Sequence, residues 1–176
     1  MNDGEVRLTR GVSLARPYQP PVQFFQLSHL RRLRGCEQVA AVCYRIHDTG
    51  MQFLLVRTNS EHWTFPKGST EPGLTHAQAA ALEAFEEAGV HGRMEEASFT
   101  QYIRRKRAVS VHLCEVLRLD PPQEPNRDPT WFSAEKTKRR LRQGRPADFA
   151  AELARVVDLA VARIQRLRLG RLSAGS

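Results

Sequence analysis

The chain has 176 residues, enough for one domain with a genuine core and too few for two. A composition of 41% hydrophobic and 26% charged residues excludes wholesale disorder. The net charge of +8 sits at the ends. Residues 1–34 hold six arginines against two acids and residues 134–176 eleven basic against four acidic residues, while the middle has ten basic against thirteen acidic. An acidic centre between basic flanks fits a cation site approached by an anion, although solvated basic surface is the simpler reading of the flanks alone.

The longest uninterrupted apolar run, Val39 to Tyr44, is far too short to span a bilayer, so no membrane partner is expected. Three cysteines, Cys36, Cys43 and Cys114, include no C-x-x-C spacing, which argues against a disulfide scaffold or a zinc ribbon. With no apolar segment near Met1, a reduced cytoplasmic setting is expected.

Residues 1–34 lack periodicity up to about residue 22 and read as a basic arm, with one short amphipathic helix over 23–34. A domain then extends over 35–172, followed by a tail, 173–176. Gln38 to Ile46 and Met51 to Val56 form a predicted hairpin around Asp48-Thr49-Gly50. Thr75-His76-Ala77-Gln78 is a capping box opening a helix to about Ala88, with Gly89 placed to end it. Strands are predicted over 98–103 and 108–117 on either side of the turn Arg104-Arg105-Lys106-Arg107, the second half-buried by its alternation. A proline-rich loop, 120–128, precedes a short strand through Trp131 and Phe132, a helix capped by Ser133, and a last helix opened by Pro146. Phe149, Leu153, Val156, Ala160, Ile164 and Leu167 form its apolar stripe. Strands and helices interleaved in this way predict a layered α/β or α+β sandwich.

Glu83, Glu86 and Glu87 lie at i, i+3 and i+4 on the capped helix, with Cβ atoms roughly 5–6 Å apart. Ala81, Phe85 and Ala88 are left for the core side. At an effective dielectric near 20, each like-charge pair costs about 3 kcal/mol, and no lysine or arginine occurs from position 68 to 92. Either the glutamates are fully solvated, or a cation offsets them. Clustered carboxylate oxygens suit a hard divalent ion such as Mg²⁺, which commonly serves phosphate chemistry.

The stretch from Trp63-Thr64-Phe65-Pro66-Lys67-Gly68 through that helix resembles the Nudix box, G-x5-E-x7-R-E-U-x-E-E-x-G-U, where U is bulky and apolar. Gly68, Glu83, Glu86, Glu87, Gly89 and Val90 match it. Leu74 replaces the box glutamate and Leu82 its arginine, which in the family helps orient the catalytic glutamates. Only Ala84 stands at the first bulky position. The resemblance implies an α/β/α sandwich with a mixed sheet and a carboxylate-bearing catalytic helix. It further implies Mg²⁺, or Mn²⁺ in its place, held by Glu83, Glu86, Glu87 and the Lys67 carbonyl for hydrolysis of a phosphoanhydride. Glu83 is either ligand or base.

The lead-in is similar to the branches that hydrolyse diadenosine polyphosphates and diphosphoinositol polyphosphates, which makes a small polyphosphate the expected substrate. Lys67, the turn arginines Arg105 and Arg107, Arg127 and Arg145 fall where the latter branch places phosphate-binding residues, with solvated surface the plainer reading of each singly. Glu115 and Glu124 are weaker candidates for a further loop ligand or base. Trp63 and Tyr44 suit either base stacking or the core, and His76 and His112 either the site or packing. A catalytically weakened module that binds RNA or nucleotides through the basic flanks is the competing class.

Overall fold

The computed structural model describes residues 36–174. The expected arm and its 23–34 helix lie outside the described residues. In chain order come β1 (Cys36–His47), β2 (Gly50–Arg57), β3 (Trp63–Thr64), β4 (Lys67–Ser69), α1 (His76–Ala88), β5 (Val90–Met94), β6 (Thr100–Arg104), β7 (Arg107–Leu119), β8 (Thr130–Ser133), α2 (Ala134–Arg142) and α3 (Ala147–Ala174). α3 continues two residues past the domain end expected at 172. Among the described residues no helix is long and apolar enough to cross a membrane.

Eight strands form one mixed sheet whose main path runs β3-β2-β1-β7-β5. β1 and β7 run parallel, Val39 opposite Ser110 through Tyr44 opposite Glu115, and every other pairing is antiparallel. Along its other side β1 changes partner, from β4 over Gln38–Ala40 to β2 over Tyr44–His47. Between the two, the Ala41 amide donates to the Pro66 carbonyl at 2.9 Å.

Alternate residues of β1 serve two cores, as a period of two requires. Ala40, Val42 and Tyr44 join Phe53, Val111 and Leu113 beneath α2 and α3, where Leu141, Leu153, Val156, Ala160 and Ile164 are buried. Val39, Ala41 and Cys43 face α1 through Ala79, Ala80, Ala84 and Ala88. The molecule is therefore an α/β/α sandwich. β7 is not half-buried as its alternation suggests. Ser110, His112 and Cys114 are 2% exposed, because α1 covers the face they occupy.

α1 begins as its sequence dictates. The Thr75 hydroxyl accepts from the Gln78 amide at 3.1 Å, and the Gln78 side chain accepts from the Thr75 amide at 2.9 Å. Gly89 ends it at φ 65°, a left-handed conformation that favours glycine. A Cβ there would also overlap the Asp120 carbonyl, whose residue bonds back through its amide to the Gly89 carbonyl at 2.8 Å. That contact lays the 120–128 loop against the end of α1. The buried face agrees with expectation at Ala88 and differs elsewhere: Ala79, Ala80 and Ala84 pack with it against the sheet, Ala81 is exposed, and Phe85 lies to one side against His91. Small alanine side chains let the helix approach the sheet closely, and the rotation carries Glu87 inward.

Candidate active site

Glu83, Glu86 and Glu87 occupy the last turns of α1, beside the β4 backbone. Glu83 rests over Gly68, where any Cβ would overlap its carboxyl. Glu87 is only 3% exposed. Its Oε2 accepts from the Lys67 amide at 3.1 Å, and its Oε1 faces the Arg127 guanidinium at 2.7 Å. The Glu86 carbonyl, one of the carbonyls a helix end leaves without an intrahelical donor, accepts from the amides of Gln123 and Glu124, both at 3.0 Å. The loop thereby adds the Glu124 carboxylate, which accepts from Arg127 Nε at 2.7 Å.

Burial, reinforced by Glu87, Glu86 and Glu124, pushes the Glu83 carboxyl up from 4.5 to about 7. Burial also raises Glu87, against the opposing pull of Arg127 and the Lys67 amide. Lys67 is lowered by burial and then by Arg104, with Glu87 acting the other way.

A folded-state pKa above the unfolded one means the native protein holds more protons between roughly pH 4.5 and 7. Stability contributed by protonated Glu83 is thus complete below that window and lost as pH rises through it. Without divalent ions, the melting temperature is expected to fall from pH 5 towards pH 7.5, by roughly what one half-exposed carboxyl allows. Calorimetry of the wild type and Glu83→Gln checks this. A slope equally steep in the variant would show that other groups are responsible.

Beside the carboxylates lies an open cavity of about 560 Å³, lined by Thr58, Ser60, His62, Lys67, Tyr102, Arg104, Arg105, Arg145, Phe149 and neighbouring residues. The turn carrying Arg105 and Lys106 holds both at positive φ, 48° and 64°, as a two-residue hairpin between Arg104 and Arg107 requires. That places Arg104 and Arg105 at the cavity. Arg107 instead pairs with Glu37 at 3.1 Å and does not line it. Arg145 lines the cavity, but its guanidinium is also spent on the Leu141 carbonyl, at 2.6 Å, and on the Trp63 carbonyl. Arg127 binds the carboxylates rather than lining the cavity.

The other candidates separate clearly. Glu124 joins the cluster, whereas Glu115 is held by Arg171 at 3.0 Å and Arg93 at 3.7 Å, in a groove with Tyr44. Trp63 and Tyr44 are core: Trp63 stacks edge-on against Phe132 at 5.0 Å, and Tyr44 is 4% exposed. His112 is buried, its Nδ1 3.0 Å from the Glu95 carbonyl oxygen, and it meets His76 at the far end of α1 from Glu86 and Glu87. His62 lines the cavity beneath Gly144. Two aromatic rings that the sequence did not assign to the site, Tyr102 and Phe149, form a cavity wall with centroids 6.0 Å apart. Helix periodicity marked Phe149 only as part of the apolar stripe, and Tyr102 carried no signal beyond its place in a predicted strand. Burial pushes the Tyr102 hydroxyl up to about 12.

Among the described residues, no three His, Cys, Asp or Glu side chains are already gathered closely enough to ligate one ion. The donors nonetheless fit a hard divalent cation in chemistry. They are carboxylate oxygens crowded at one helix end, where burial and then their mutual repulsion raise Glu83.

Residues 37–153 match the family model described as the NUDIX domain. The chain belongs to that family. Over 48 residues it is 42% identical to the asymmetrical bis(5'-nucleosyl)-tetraphosphatase of Sus scrofa, a match covering 26% of this chain and 33% of that protein. The matched stretch thus spans about a third of that relative's length. Among solved structures, a C. elegans Ap4A hydrolase in a binary complex superimposes with a TM-score of 0.61 at 22% identity, covering 73% of this chain and 98% of that one. A second C. elegans Ap4A hydrolase structure gives 0.54 at 24% identity, covering 72% and 96%. At these identities the structural likeness establishes the fold.

Proposed function

We propose that the chain is a divalent-metal-dependent hydrolase that splits a phosphoanhydride bond in a nucleoside or dinucleoside polyphosphate, a diadenosine polyphosphate being the preferred class and Mg²⁺ the working ion. The observation that carries this reading is the double role of Lys67. Its amide holds Glu87 and the same residue lines the basic cavity, so the carboxylates and the basic space adjoin. The similarity to the pig tetraphosphatase supports the substrate class.

Glu83, Glu86 and Glu87 would hold the cation, with Glu124 beside them. Bound there, the ion would offset phosphate charge and lower the pKa of an attacking water. Lys67, Arg104 and Arg105 would take further phosphate oxygens, arginine doing so in bidentate fashion. Tyr102 and Phe149 would offer a wall to a base, with Arg145 bracing that wall through the Trp63 and Leu141 carbonyls. Glu83, seated over Gly68, would serve either as a ligand of that ion or as the acceptor of the attacking water's proton.

The test is incubation with diadenosine tetraphosphate, ATP, capped RNA and an inositol pyrophosphate, each with Mg²⁺, Mn²⁺ or EDTA. Turnover of the dinucleotide with metal, and its loss in EDTA and in Glu86→Gln and Glu87→Gln, is expected. If no substrate turns over and the variants match the wild type, the hydrolase reading fails. Salt-dependent RNA binding without turnover would then favour the binding module.

A further inference from the structure

α1 carries three glutamates, and from position 68 to 92 the chain supplies no lysine or arginine to offset them. The offsetting charge comes from elsewhere in the fold. Arg127, on the 120–128 loop, places one terminal nitrogen 2.7 Å from Glu87 Oε1 and its Nε 2.7 Å from Glu124 Oε2. Its other terminal nitrogen donates to the Arg57 carbonyl at 3.3 Å. The loop is itself pinned, by the Gln123 and Glu124 amides on the Glu86 carbonyl and by the Arg57 amide on the Arg127 carbonyl at 2.6 Å. The Arg127 side chain is 16% exposed and the Glu87 side chain 4%.

We propose that Arg127 is a positioning residue, the cation that α1 lacks, delivered from the loop to hold the Glu87 carboxylate in place and to tie Glu124 to the same site. This replaces the expectation that Arg127 contacts substrate phosphate. Every nitrogen of its guanidinium already has a protein partner, and it does not line the basic cavity. A carboxylate oxygen has lone pairs enough to accept from Arg127 and still serve a metal. The effect on turnover rests on the hydrolase reading above, but the contact itself does not.

A double-mutant cycle in EDTA tests the contact without any reaction. Arg127→Met keeps bulk and removes charge, leaving Glu87 buried and unpaired. Its melting temperature is expected to drop by about 10 °C. In a Glu87→Gln background the same change is expected to cost less than half as much. Additive losses would overturn the proposal. If Arg127→Met alone fails to fold, the double variant is expected to fold, and its failure would also overturn the proposal.

Saturating Mg²⁺ gives a second readout. It is expected to raise the melting temperature of Arg127→Met more than that of the wild type, since the ion supplies the missing charge, with Arg127→Lys in between. An equal rise in all three would count against Arg127. In kinetics, Arg127→Met is expected to lower kcat with KM nearly unchanged, whereas a raised KM at constant kcat would mark a substrate contact and sink the positioning role. If the wild type cleaves nothing while the EDTA cycle still couples, the hydrolase reading fails and Arg127 stands.

Discussion

Replacing Glu83 with glutamine is expected to lower kcat on the preferred polyphosphate by at least about 100-fold while making the metal-free protein more stable. The opposite signs have one cause. Glu83 sits half-buried among Glu87, Glu86 and Glu124, and burial, reinforced by those like charges, raises its carboxyl to about 7 in the metal-free protein. The amide removes a desolvated like charge, so the cation-free fold gains, and the same change removes the ligand or proton acceptor proposed above, so chemistry loses. Steady-state kinetics with Mg²⁺, set beside thermal melts in EDTA at pH 7.5, reads both effects. A variant that keeps wild-type kcat would remove Glu83 from the catalytic machinery.

Gly68→Ala is expected to be nearly as damaging to turnover, by about 100-fold, with only a few degrees of melting temperature lost. The added Cβ would occupy the space now filled by the Glu83 carboxyl. The obstructed atoms are the end of a flexible side chain, so Glu83 can swing aside cheaply and the fold survives. Displacement of a reacting group by about 1 Å is enough for a hundredfold loss. Turnover close to wild type would show that Glu83 does not need the seat over Gly68. A collapse in stability would instead trace the conservation of space to packing.

Much of the fold was legible because its signals are local. The capping box at Thr75 and Gln78 and the left-handed stop at Gly89 appear at the residues expected. The Asp48-Thr49 turn and the apolar stripe of α3 do as well. β3, β4 and β5 were not legible. The first two are two and three residues long, and β5, Val-His-Gly-Arg-Met, has little strand character of its own. Gly92 is tolerated there because a larger residue would strike the Glu115 carbonyl and Cys114 Sγ across the sheet. Such strands exist through their partners, and a partner distant in sequence leaves no local periodicity.

At the site, helical spacing alone brought the three glutamates to one region of α1, because i, i+3 and i+4 share a face in any helix. Which arginines line the cavity and which bind carboxylates was decided only by tertiary structure. Arg104 and Arg105 line the cavity, Arg107 is spent on Glu37, Arg145 on backbone carbonyls, and Arg127 on Glu87 and Glu124. A guanidinium reaches its partner through a long side chain, so its role depends on which loop the fold lays beside which helix. Spacing along a helix is written into the chain by geometry, whereas the meeting of a helix end with a loop some forty residues away is settled by packing.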